Sequence, residues 1–171
     1  MKKSQKYPAI IFQFLQTLTI PKNERNYGME TDTIRLLREC NAGIKMGEDA
    51  IKQVLPHTRN EELRAALESA KNEHAVLGGE AQALLLKSNA DTADAHPFVR
   101  CMSAMKICGT LMMNESDSKI ADLMTDGCDM GIKSLNKHLN KYKHADGQSQ
   151  DLAKRIIASE VELKQNISVF L

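Results

Sequence analysis

Glu73 and His74 lie inside Ala70-Lys71-Asn72-Glu73-His74-Ala75, near the middle of an apolar, helix-forming segment. A histidine preceded by an acid on a helix can supply half of a metal site, or it can be a packed core residue. Leu63, Leu67, Ala70, His74, Leu77, Ala81 and Leu84 follow a four-three alternation, which puts the imidazole on the buried seam of that helix. An imidazole in such a position needs a polar partner, whatever its role.

The elements that must position it are helices. Of the 171 residues, 42% are hydrophobic and 26% charged, an ordinary balance for one globular domain. Aromatic content is 4%, with nine Met and no Trp, which suits a helical core of Leu, Ile, Ala and Met. Residues 1–28 differ from the rest. Three lysines precede Ile10-Ile11-Phe12-Gln13-Phe14-Leu15, Gln13 and Gln16 interrupt the apolar run, and no small-residue cleavage site follows. This segment is expected to be an extension before the folded unit 29–171, with Met29 a candidate start; it is too short for a membrane span.

A first helix is expected from Thr31 or Asp32 as cap to Pro56, with Ile34, Leu37, Ile44, Ile51 and Leu55 as its stripe. A second begins at Asn60, with Glu61 and Glu62 in its first turn. Ser88 to Pro97 reads as a loop, followed by a Met- and Cys-rich helix from Phe98 to about Met113. A third bundle helix runs from Ser118, capped by Ser116 or Asp117, to Lys143. The turn at His144 to Gln150 then leads into a fourth from Asp151. Two hairpins joined by a long connection make an all-α, antiparallel four-helix bundle with one crossover that carries an extra helix.

An internal repeat supports two hairpins. Cys40-Asn41-Ala42-Gly43-Ile44-Lys45 matches Cys128-Asp129-Met130-Gly131-Ile132-Lys133 at an offset of 88. Aligning the second and fourth helices gives an offset of 89, which pairs Glu73 with Glu162 and His74 with Leu163. Gly43, Gly47, Gly127 and Gly131 fall inside helices, where each costs about 1 kcal/mol relative to Ala; close helix approach is the expected reason, room for a ligand the other. Asn41 and Asp129, at equivalent positions, are candidates for a polar layer that sets helix register.

On this topology the chain resembles the ferritin-like superfamily, and within it the rubrerythrin type. Lys71-Asn72-Glu73-His74-Ala75 is similar to the family's Glu-x-Glu-His-Ala, and Glu39-Cys40-Asn41-Ala42 to its acid-bearing first helix. The resemblance implies a carboxylate metal site built from one Glu on each of two helices and a Glu-x-x-His pair on each of the others. Carried over residue by residue, it leaves Glu39, His74 and Glu160 as metal ligands. Lys71 stands where a ligand Glu would be, Gly127 where the counterpart of Glu39 would be, and Leu163 where the second His would be. A dinuclear centre would have to recruit Glu48, Glu73 or Asp129. The implied cofactor is iron or another divalent metal, in metal or oxidative-stress handling. The alternative is a structural or protein-interaction bundle that has lost metal chemistry.

Other functions find little support. The net charge of +1 offers no global field for nucleic acid or anionic membrane. Lys133, Lys137 and Lys141, with His138, read as a solvated face whose cations suit a helix C-terminus, so neither nucleic acid nor membrane is an expected partner. No phosphate-binding Gly loop, zinc-protease His pair or nucleophile triad occurs, so no catalytic residue is assigned. Cys40, Cys101, Cys108 and Cys128 form no C-x-x-C pair, which favours reduced, buried thiols in a cytoplasmic protein. A homodimer is the expected assembly.

Overall fold

In the computed structural model the backbone is described for residues 22–88, Ala90 and residues 116–171, and side chains from Thr31 onward within those ranges. The described residues are all-α: α1 Lys22–Val54, α2 Glu61–Lys87, α3 Asp117–Lys141 and α4 Gly147–Ile167, with short 3-10 turns at Leu55–His57 and Ser168–Phe170. None of these helices is long and apolar enough to cross a membrane. The expected helix from Phe98 to Met113 lies outside the described residues, as does most of the 1–28 segment.

Local chemistry sets the ends. Pro56 stops α1 in a 3-10 turn, where the Thr58 hydroxyl donates to Val54 O at 3.0 Å and Arg64 donates to the carbonyls of Leu55 and Thr58. Asn60 caps α2, its side-chain oxygen accepting from the amides of Glu62 and Leu63 at 2.8 and 3.0 Å. Ser116 caps α3 by accepting from Lys119 N. Two expected starts are displaced. The first helix does not begin at Thr31 or Asp32 but runs through them from Lys22. Asp32 accepts instead from His144 N at 3.2 Å, and Thr33 Oγ1 from Asp146 N at 2.8 Å. The fourth helix begins at Gly147 rather than Asp151, because the Asp146 carboxylate accepts from Ser149 N at 2.7 Å and caps it.

These tethers fix the helix directions. Asp32 and Thr33 of α1 lie against the α3–α4 turn, while Asp117 at the start of α3 accepts from the amides of Arg59 and Asn60 in the α1–α2 turn at 2.8 and 3.0 Å. So α3 runs opposite to α1 and parallel to α2, α4 runs with α1, and the order is up, down, down, up. The end of α2 and the start of α3 therefore lie at opposite ends of the bundle. The two hairpins pack through α1 against α3 and α2 against α4.

The core forms two clusters. One contains Leu36, Leu37, Ile44, Leu77, Leu135 and Ile156. The other contains Ile51, Leu67, Ala70, Cys128, Leu163 and Ile167. In every helix the same kind of interval separates them: Ile44 to Ile51, Ala70 to Leu77, Cys128 to Leu135 and Ile156 to Leu163. Gly47, His74, Gly131 and Glu160 occupy the four gaps.

Candidate functional site

His74 reaches from α2 into the gap between the clusters, 1% exposed, and Glu160 meets it from α4, 8% exposed. The room for the ring is left by a glycine. A Cβ on Gly47 of α1 would lie 2.7 Å from His74 Nε2 and 2.9 Å from Cδ2, so no larger residue fits there without displacing the ring. A Cβ on Gly131 of α3 would stand 3.5 Å from Glu160 Cδ and Oε1, in ordinary contact. Room for a side chain thus explains Gly47. Close approach explains neither Gly43 nor Gly127, whose Cβ would meet nothing within 4 Å. It does operate at Gly78, where a Cβ would stand 3.2 Å from Ile44 Cγ2.

Both imidazole nitrogens are engaged. Nδ1 lies 2.9 Å from Ala70 O, and because a carbonyl only accepts, Nδ1 carries a proton. Nε2 lies 3.1 Å from Glu160 Oε1. Burial alone lowers the pKa of an imidazole, but the hydrogen bond and charge of Glu160, the Ala70 carbonyl and the charge of Glu48 outweigh it and hold His74 above its usual value. With Nδ1 donating to Ala70 O, a proton must lie between Nε2 and Oε1, and the raised pKa of the ring favours it on Nε2, which then donates to Glu160. Cys128 of α3 is buried nearby, and its thiol pKa is raised by burial first and by Glu160 second. The result is a polar layer with contributions from all four helices: Gly47, His74, Cys128 with Gly131, and Glu160.

Of the residues carried over from the resemblance, His74 and Glu160 come together and the others stand apart. Glu39 lies eight residues before Gly47, about 12 Å along the helix. Its carboxylate is 3.8 Å from His138 Nδ1, too long for a hydrogen bond. Glu48 pairs with Lys52 at 2.8 Å, Asp129 pairs with Lys164 at 2.6 Å, and Glu73 is exposed. Glu80 bridges α2 to Arg155 of α4 at 2.8 Å. Among the described residues no three His, Cys, Asp or Glu side chains gather in a way that could hold an ion. The donor set therefore does not fit a dinuclear carboxylate centre.

The polar layer anticipated at Asn41 and Asp129 is not formed by that pair. Asn41 is buried, its Oδ1 without a hydrogen-bond partner among the described residues, whereas Asp129 is exposed. A surface depression lined by Ser116, Lys119, Asp122 and Leu171 lies at the start of α3, away from the layer. Cys128 was legible only as a buried thiol. The signal that would have joined it to the site is the common seven-residue gap in the four apolar stripes. Comparisons with protein-family models, curated proteins and solved structures give no match.

Proposed function

We propose that this chain is a bundle of ferritin-like layout in which a histidine–glutamate ion pair replaces the metal layer, and that it serves as a structural, protein-interaction module. The observation that carries this reading is the engagement of both His74 nitrogens, one by Ala70 O and the other by Glu160. Support for the layout comes from the up, down, down, up order with one long connection, the arrangement that ferritin-like folds share. A buried ion pair gives a bundle register at little net stability, and a polar layer that specifies packing is its best attested use.

A second reading rests on the same atoms. A ligating histidine commonly donates its other ring N–H to a carbonyl, as His74 Nδ1 does to Ala70 O, which leaves Nε2 facing a carboxylate. His74 and Glu160, with Glu48 or Cys128 moving in, would then hold one iron or other divalent ion in metal or oxidative-stress handling.

Metal content of protein purified without a His tag, followed by calorimetric titration with Fe²⁺, Mn²⁺ and Zn²⁺, separates the two. The interaction reading expects substoichiometric metal and no saturable site. About one equivalent bound by the wild type and lost in His74→Ala would replace it with the metal reading.

A further inference from the structure

The outward face of α3 is divided by charge. Asp122, Asp126 and Asp129 occupy its first half, and Lys133, Lys137 and Lys141 its second; all six are exposed. No Lys, Arg or His occurs from Ile120 to Ile132, and no Asp or Glu from Met130 to Ala145. Met130, 62% exposed, lies beside the point where the sign changes. The six side chains extend over twenty residues, Asp122 to Lys141, about 28 Å of helix.

We infer that this face is a two-fold interface with a second copy of the chain, the two α3 helices lying antiparallel. A two-fold axis near residue 131 sets Asp129 opposite Lys133 of the second copy, Asp126 opposite its Lys137 and Asp122 opposite its Lys141. Symmetry repeats each pair, which gives six contacts, with the two Met130 side chains meeting beside the axis. The order of charge selects this occupant. A partner of uniform sign, such as a nucleic acid or an acidic peptide, would match one half of the stripe and repel the other. An antiparallel copy supplies the reversed order by symmetry.

The ion pairs that some of these groups make within the chain do not oppose the assignment. Lys164 with Asp129 and Lys119 with Asp122 are exposed pairs. Such pairs hold weakly and exchange readily. The inference stands apart from the metal question, since the six side chains are exposed on α3 whereas His74 and Glu160 are buried.

Sedimentation equilibrium of the full chain over about 5–500 μM, at about 50 mM and 500 mM salt, tests it. The expected result is a monomer–dimer equilibrium that weakens with salt. Lys133→Glu/Lys137→Glu/Lys141→Glu makes the face wholly acidic, and Asp122→Lys/Asp126→Lys/Asp129→Lys makes it wholly basic. Each alone should dimerise at least about tenfold more weakly, because every attractive pair becomes repulsive. An equimolar mixture should restore dimers, all six contacts being complementary again. Circular dichroism confirms that each variant is folded. If the basic variant does not fold, the acidic variant and the salt series decide. A wild type that is monomeric throughout overturns the inference, as does a dimer that both charge reversal and salt leave unchanged, or two folded variants that stay monomeric when mixed.

Discussion

His74 and Glu160 stabilise each other far more than they stabilise the bundle, and single and paired substitutions separate the two quantities. His74→Leu leaves the Glu160 carboxylate buried without the imidazole that meets it at 3.1 Å. Glu160→Met leaves the ring in an apolar gap with one hydrogen bond, to Ala70 O. Breaking a buried pair on one side costs about 3–5 kcal/mol. For a chain of this size that is a fall in Tm of roughly 6–20 °C. The double variant removes both charges and places two apolar side chains between the existing clusters, so its stability should lie between that of the wild type and about 1–4 kcal/mol above it. Thermal and urea unfolding of the four proteins completes the cycle. A second arm uses pH. The folded pKa of His74 lies above the unfolded value of about 6.5, so its contribution is complete below that pH and is lost as pH rises through the folded value. The stability gap between the wild type and Glu160→Met should therefore narrow on the alkaline side. In Glu160→Met burial dominates and the His74 pKa should fall below its usual value, which NMR titration of the ring reads directly. Singles whose costs simply add in the double variant would refute the pairing, and so would a stability gap that widens with rising pH.

The glycines make a second test, in which one substitution has opposite effects on α1. Gly43→Ala meets nothing within 4 Å and should stabilise the protein by about 1 kcal/mol through helix propensity. Gly47→Ala places a methyl 2.7 Å from His74 Nε2, forces the ring away from Glu160 and should destabilise by about 1–2 kcal/mol despite the same propensity gain; stabilisation at both positions in urea unfolding would show that the ring does not need the slot. Burial pushes the Cys40 thiol up to about 12, with the charge of Glu39 adding to it, and raises Cys128 as well. Neither should react with a thiol reagent at pH 8 until the bundle unfolds, and peptide mapping that found either labelled in native protein would contradict the packing.

The helices were legible because their apolar residues keep one period over many turns, and Asn60 and Ser116 announced two starts by side-chain chemistry alone. The starts that were misplaced turn on contacts between distant residues. Asp32 and Thr33 have the right types to begin a helix, but their oxygens serve the amides of His144 and Asp146 more than a hundred residues away. Gly147 has the type to break a helix, yet at the first helical position after Asp146 it breaks nothing. The directions of the described helices are set by the two tethers at Asp32 and Asp117, which join residues far apart in the chain.

The site was half legible for the same reason. Position on a stripe predicts that His74 is buried and must have a partner, but it does not say which of the other helices provides it. Glu160 lies on the apolar stripe of α4 between Ile156 and Leu163, and that position was available in the sequence. What hid its pairing with His74 was the alignment of the hairpins, which sets Leu163 against His74 and treats the two halves as equivalent. They are not equivalent at this level. The second hairpin contributes an acid one turn earlier than a histidine would stand, and the first gives up a side chain at Gly47 so that the ring fits. A bundle formed from two like hairpins could pack its halves in more than one register. An acid and a base that meet only in one register, across a slot that only glycine leaves open, disfavour the alternatives, because any slip buries both charges unpaired.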